Sequence, residues 1–206
     1  LMKLQPELKI VVFEAGYPLE KRKCPIDGVK VKNCLRCKTC AIMSGFGGAG
    51  AFSDGKYNIT NDFGGSLYEY IGKKQATDLM WYVDSINTSY GGEGTKMNLL
   101  NASVRHLGTD INYVVLENLY KELKDKVEFR FQYEVEHVEK TAHGYRICGK
   151  QGEDECEKCI ISVGRSGSKW MKQVCQEMEI PTKSNRVDLG VRVELPAEIF
   201  SHLTDE

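Results

Sequence analysis

The chain has 206 residues, 41% hydrophobic and 28% charged, enough for one large domain or one domain with part of a second. Its formal net charge of −1 supplies no field to draw it onto nucleic acid or an anionic membrane. No apolar run approaches the roughly 20 residues of a bilayer-spanning helix, and residues 1–6 lack the apolar core and cleavage site of a secretory signal. The expectation is a cytoplasmic protein with neither nucleic acid nor membrane among its partners.

Lys9-Ile10-Val11-Val12-Phe13-Glu14, followed by Ala15-Gly16 and Pro18, predicts a buried parallel strand and then a turn. A carboxylate ending such a strand can hydrogen-bond a ribose hydroxyl, although a lone strand-end acid more commonly faces water. In a dinucleotide-binding fold a Gly-x-Gly-x-x-Gly turn lies roughly 20 residues before that acid. Only residues 1–13 precede Glu14, and none is glycine. The first strand, its pyrophosphate turn and most of the first helix are therefore expected to be absent, with residues 1–4 as the tail of that helix. Arg22, flanked by Lys21 and Lys23, can neutralise a phosphate or stack on adenine; a solvated basic turn is the plainer alternative.

Cys34, Cys37 and Cys40 run directly into a loop holding Gly45, Gly47, Gly48, Gly50 and Gly55. Such glycines free the backbone for positive φ and close approach to a ligand, and successive N–H groups can cradle an anion. The ending Phe52-Ser53-Asp54-Gly55-Lys56 adds a hydroxyl, a carboxylate and an ammonium, which favours a fixed pocket over a mobile surface loop. The three cysteines have the spacing of iron–sulfur ligands, and Cys24 is a candidate fourth thiolate. A ferredoxin-type run, however, puts its fourth cysteine shortly after the third, where this chain has Ser44. An iron–sulfur cluster, zinc and free or redox-active thiols all stay open for these residues. Eight cysteines in a chain too rich in apolar segments to need a disulfide scaffold favour thiols, metal or redox chemistry.

Further along, Leu79, Tyr82, Val83 and Ile86 predict a helix over residues 75–89, stopped by Gly91-Gly92. Asp110 is a candidate N-cap for a helix over 111–124 whose apolar face is Ile111, Val115, Leu119 and Leu123. Strands are predicted over 127–132, 133–140 and 145–148, and a buried one over 159–163 that ends at Gly164. Gly164-Arg165-Ser166-Gly167 then turns into a helix near Ser168, a favourable place for an anion or cofactor. Cys156 and Cys159 form a separate Cys-x-x-Cys, a weak signal alone. Residues 187–194 alternate as a strand needing a sheet to join, so the chain reads as a fragment cut at both ends. The order of elements fits an α/β class.

Together, Val11-Val12-Phe13-Glu14, Gly47-Gly48-Ala49-Gly50-Ala51-Phe52-Ser53-Asp54-Gly55-Lys56, Gly108-Thr109-Asp110 and Val163-Gly164-Arg165-Ser166-Gly167 resemble the uncharacterised bacterial FAD-dependent dehydrogenases. These are flavoproteins with a two-dinucleotide-binding-domain fold. The resemblance covers nearly the whole chain in order and implies an incomplete Rossmann-like FAD-binding domain over residues 1–170. It also implies a helical excursion at about 61–112 and the start of a substrate domain over 171–206. It further implies an oxidoreductase that transfers hydride or electrons between FAD and an unknown small-molecule substrate, with NAD(P)H or another electron carrier as a candidate partner. The cofactor contacts it implies are Glu14 on the adenosine ribose, Arg22, Gly47, Gly48, Ser53, Asp54, Gly55, Lys56, the backbone of Val135 beside the adenine, and Gly164 and Arg165 where the chain returns to the flavin. No residue acquires a catalytic role from it. The alternative is an electron-transfer module in which Cys24, Cys34, Cys37 and Cys40 hold iron–sulfur or zinc.

Overall fold

The computed structural model describes all residues except 3, 54, 63, 64, 92–97, 102, 103, 107, 108, 185–188, 192, 205 and 206. For residues 56, 57, 98–101, 104–106, 109, 110, 200, 203 and 204 it describes the backbone only. Helices and short sheets alternate, an α/β arrangement, in two compact units, Leu1–Ser162 and Val163–Glu206.

The first unit is organised around two parallel strands, β1 (Val11–Glu14) and β5 (Glu128–Phe131), in register from Val11 opposite Glu128 to Glu14 opposite Phe131. Both are rich in the β-branched and aromatic residues that suit a pleated, half-buried surface. Their common register brings both carboxyl ends to one edge, where Tyr133 N donates to Glu14 O (3.0 Å) and Gln132 N to Gly16 O (2.8 Å). Between them the chain makes its excursion. It contains β2 (Lys56–Asn58), α1 (Leu67–Ile71), α2 (Lys73–Tyr90), β3 (Asn98–Asn101), β4 (Val104–His106) and α3 (Thr109–Leu123). The sheet order there is β2-β4-β3.

Helix α2 lies where periodicity places it, but its inward face differs. Ala76, Asp84 and Asn87 are buried, whereas Leu79, Tyr82 and Val83 are half exposed. The inward stripe is 76, 80, 84 and 87, an i, i+4, i+8, i+11 row that carries polar residues and so escapes a search for apolar spacing. In α3, Asp110 falls within the helix rather than before it. Val115 and Asn112 are its most buried side chains.

After β5 comes an antiparallel meander of β6 (Val135–Lys140), β7 (Tyr145–Gly149) and β8 (Gly152–Cys156). The acid-rich β8 has no apolar alternation, and its pairing is dictated by the turn at Gly149–Gly152. Tyr133, 6% exposed, locks the meander to β1: its ring packs 4.8 Å from Phe13 and its hydroxyl donates to Gly152 O at 2.6 Å. Arg130 of β5 pairs with Asp154 of β8 and with Glu128. Removing only the hydroxyl, by Tyr133→Phe, is expected to cost about 0.5–1.5 kcal/mol. In thermal unfolding this reads as a fall of a few degrees, at about 2–4 °C per kcal/mol.

Two expectations are corrected. Residues 159–162 form no strand, and Ile160 is 80% exposed. An apolar run becomes a strand only beside a neighbour that takes its hydrogen bonds, and none pairs with it among the described residues. For the same reason Leu189, Val191 and Val193 lie outside any strand and are exposed. At the start of the chain, Leu4 N and Gln5 N both donate to Leu1 O.

In the second unit, Gly164 adopts φ +62° and Ser168 N donates to Arg165 O (3.2 Å). This turn leads into α4 (Ser168–Glu177), which buries Val174 and Cys175; α5 (Ala197–Thr204) follows. No described helix is long and apolar enough to cross a membrane.

Candidate functional site

Ligands of open α/β sheets bind outside the carboxyl ends of parallel strands, which makes the edge formed by Glu14 and Phe131 the candidate site. Glu14 is held there by its own turn. Its Oε1 accepts from Gly16 N at 2.8 Å and from Gly45 N at 2.9 Å, so one carboxylate oxygen seats the glycine loop on the strand end. Among the described residues, nothing hydrogen-bonds the second oxygen. Gly16 and Gly45 approach so closely that a Cβ on Gly16 would lie 2.6 Å from Gly45 Cα. Gly45 itself sits at φ +117°.

Arg22 fixes the loop from within. It is 5% exposed, and its guanidinium donates to four backbone carbonyls. Nε reaches Ala41 O (2.9 Å), Nη1 reaches Phe46 O (2.6 Å) and Gly48 O (2.7 Å), and Nη2 reaches Ile42 O (2.7 Å). The group also lies 4.8 Å from the centre of the Phe52 ring. Burial lowers its pKa, opposed by the nearby Glu14 carboxylate and Cys40, yet an arginine keeps its charge. Four of the five N–H donors are thereby committed to the loop.

Helix α3 holds the other side through residues spaced four apart. Tyr120 packs 4.9 Å from Phe46 in an aromatic cluster with Phe129 and Phe131. Leu116 lies beside Gly47, where a Cβ would meet its Cδ1 at 2.7 Å. Asn112 donates to Gly50 O at 2.5 Å. Residues 112, 116 and 120 form one stripe, running opposite to the loop from 50 back to 46. Sequence reading missed Asn112, Phe46 and Tyr120; the i, i+4, i+8 spacing was the available signal.

The remaining expected contacts are dispersed along this loop and beyond it. Gly47 (φ +80°) and Gly48 (φ +58°) take left-handed conformations at the start of a 3-10 turn over Gly48–Phe52. Ser53 Oγ donates to Gly50 O (2.9 Å) and accepts from Gly55 N (3.2 Å), so it closes the loop on itself. Lys56 opens β2 opposite His106. Asp54 and Gly108 lie outside the described residues. Val135 begins β6 opposite Gly149. Gly164 and Arg165 belong to the second unit.

Among the described residues no three His, Cys, Asp or Glu side chains gather as a metal site. Cys34 and Cys37 are exposed, and Cys24 and Cys40 are half-buried. Burial pushes the Cys156 and Cys159 thiols up, with Cys156 adding to the effect on Cys159; neither is poised as a thiolate. The cysteine segment is tethered by Lys38 to Glu134 at 2.6 Å, one residue before Val135. That hydrogen bond holds the Glu134 carboxyl below, and the Lys38 ammonium above, their ordinary values. The tether therefore stabilises only between the two titrations. It is lost as pH falls through the depressed carboxyl pKa or rises through the raised ammonium pKa. Lys38→Ala is expected to lower the melting temperature slightly at neutral pH and low salt, with the difference vanishing in acid and at high salt. An open cleft of about 250 Å³, lined by Asn58, Ile59, Leu67, Ala76, Met80 and Asp84 among others, shares no residue with the Glu14–Arg22 cluster.

The site is thus a glycine-rich loop seated on the carboxyl edge of a parallel strand pair in an α/β unit. No family model matches the chain. It is 23% identical over 197 residues to an uncharacterized protein of Clostridium beijerinckii, covering 94% of this chain and 33% of that protein. The chain thus spans about a third of that relative's length.

Proposed function

We propose that the chain is part of an FAD-dependent oxidoreductase whose first unit is a Rossmann-like FAD-binding domain. The observation that carries this reading is Glu14. It ends a parallel strand, gives one oxygen to the glycine loop and keeps the other for a hydroxyl, as a ribose-binding acid must. The residues fit such a group. Glycine at 16 and 45 lets the loop close on the strand end, and the left-handed Gly47 and Gly48 hold a backbone that residues with side chains rarely adopt. By the resemblance, Ser53, Asp54, Gly55, Lys56 and Val135 add contacts along the cofactor. Bound flavin supplies the hydride or electron transfer; the chain's own residues bind and orient it. A small-molecule substrate and NAD(P)H or another carrier complete the reading, and a cytoplasmic setting accords with it.

The test is an absorption spectrum of the purified protein before and after dithionite, with iron quantified alongside. Two visible bands that bleach on reduction, without iron, support the flavin reading. Iron with sulfide would move Cys24, Cys34, Cys37 and Cys40 into the machinery. A colourless protein that takes up no added FAD overturns the proposal.

A further inference from the structure

We propose that Arg22 is a positioning residue, acting on the cofactor only through the glycine loop that it organises. The assignment rests on the flavin reading for its consequence, but its physical basis is independent of it. A buried guanidinium that takes four carbonyls of one eight-residue stretch, at 2.6–2.9 Å, collects them at a single point. A backbone whose carbonyls at 41, 42, 46 and 48 turn inward has no freedom to reverse those peptide planes. The conformation that Gly45, Gly47 and Gly48 hold is thereby selected before any ligand arrives. The fork is specific to arginine: lysine carries the charge but lacks the planar set of five donors. The position of Arg22, 5% exposed and 4.8 Å from the Phe52 ring centre, leaves it behind the loop.

Preorganisation makes a quantitative claim. When only a fraction of molecules holds the competent loop, apparent affinity falls by that fraction. If Arg22→Ala leaves the loop competent about a tenth of the time, FAD binds about tenfold more weakly. The experiment measures amide hydrogen exchange over residues 41–52 and FAD affinity for the wild type, Arg22→Lys and Arg22→Ala, the last with and without added guanidinium chloride at tens of millimolar. Expected are faster exchange at Gly45, Phe46 and Gly48 in both variants, a parallel loss of affinity, and recovery of both by guanidinium but not by ammonium. Recovery separates the clamp from a general loss of fold, and Arg22→Lys serves where Arg22→Ala does not fold. Weaker FAD binding with exchange unchanged means that Arg22 touches the cofactor, and it overturns the assignment. Unchanged exchange and unchanged affinity overturn it as well. If the wild type binds no FAD, the flavin reading fails by itself, and faster exchange reversed by guanidinium still establishes the clamp.

Discussion

Gly16→Ala is expected to lower stability by about 3 kcal/mol, at the upper end of the cost of overpacking a tight contact. At about 2–4 °C per kcal/mol, the melting temperature falls by roughly 6–12 °C. The added Cβ falls 2.6 Å from both Gly45 Cα and the carbonyl carbon of Ser44. These are backbone atoms, so no rotamer change relieves the contact. Moving the loop away would stretch Gly45 N–H from Glu14 Oε1, now 2.9 Å, and strain the Gln132 N to Gly16 O bond of 2.8 Å that closes the strand edge. Gly50→Ala is the matched control in the same loop. Nothing lies within 4 Å of its Cβ position and its φ is not positive. There, alanine is expected to be neutral or to stabilise by about 0.4–1 kcal/mol through the unfolded chain. Equal melting temperatures for the two variants would rule out the close seating of the loop on the strand.

This contrast shows which parts of the fold and site were legible. Strand β1 and helix α3 are local patterns that apolar spacing finds; spacing also locates α2, though not its buried row, and the glycine turn marks the start of α4. The seating of the loop depends on contacts between residues far apart in sequence, such as Arg22 with Gly48 or Asn112 with Gly50. Composition identifies a glycine-rich loop, but not that Gly16 and Gly45 touch while Gly50 stands open. Arg22 illustrates the limit most sharply. In Lys21-Arg22-Lys23 three adjacent cations look alike on the page, yet only the middle one is buried. Residues 159–163 err in the opposite direction. Their β-forming composition is plain, but strand formation requires a partner that the residues themselves do not specify.

Glu14 offers the second large effect, because in the flavin reading its two oxygens have separable tasks. Glu14→Ala leaves the N–H groups of Gly16 and Gly45 without their shared acceptor, at about 1–3 kcal/mol for each donor left buried. The expected loss is about 2–6 kcal/mol for the pair, visible as a lowered denaturation midpoint at unchanged slope. Glu14→Gln keeps a carbonyl oxygen able to accept both bonds and gives up only their charge assistance, so most of the stability should return. FAD affinity should not return with it. In the flavin reading the second oxygen accepts from a ribose hydroxyl, and an amide nitrogen in its place forfeits a charge-assisted bond. That loss is worth roughly tenfold in affinity, or about 1.4 kcal/mol. Denaturation and FAD titration on the same pair of variants therefore read the two oxygens independently. A Glu14→Gln protein that matches the wild type in both would confine Glu14 to holding the loop, and the ribose would need another acceptor at the strand edge.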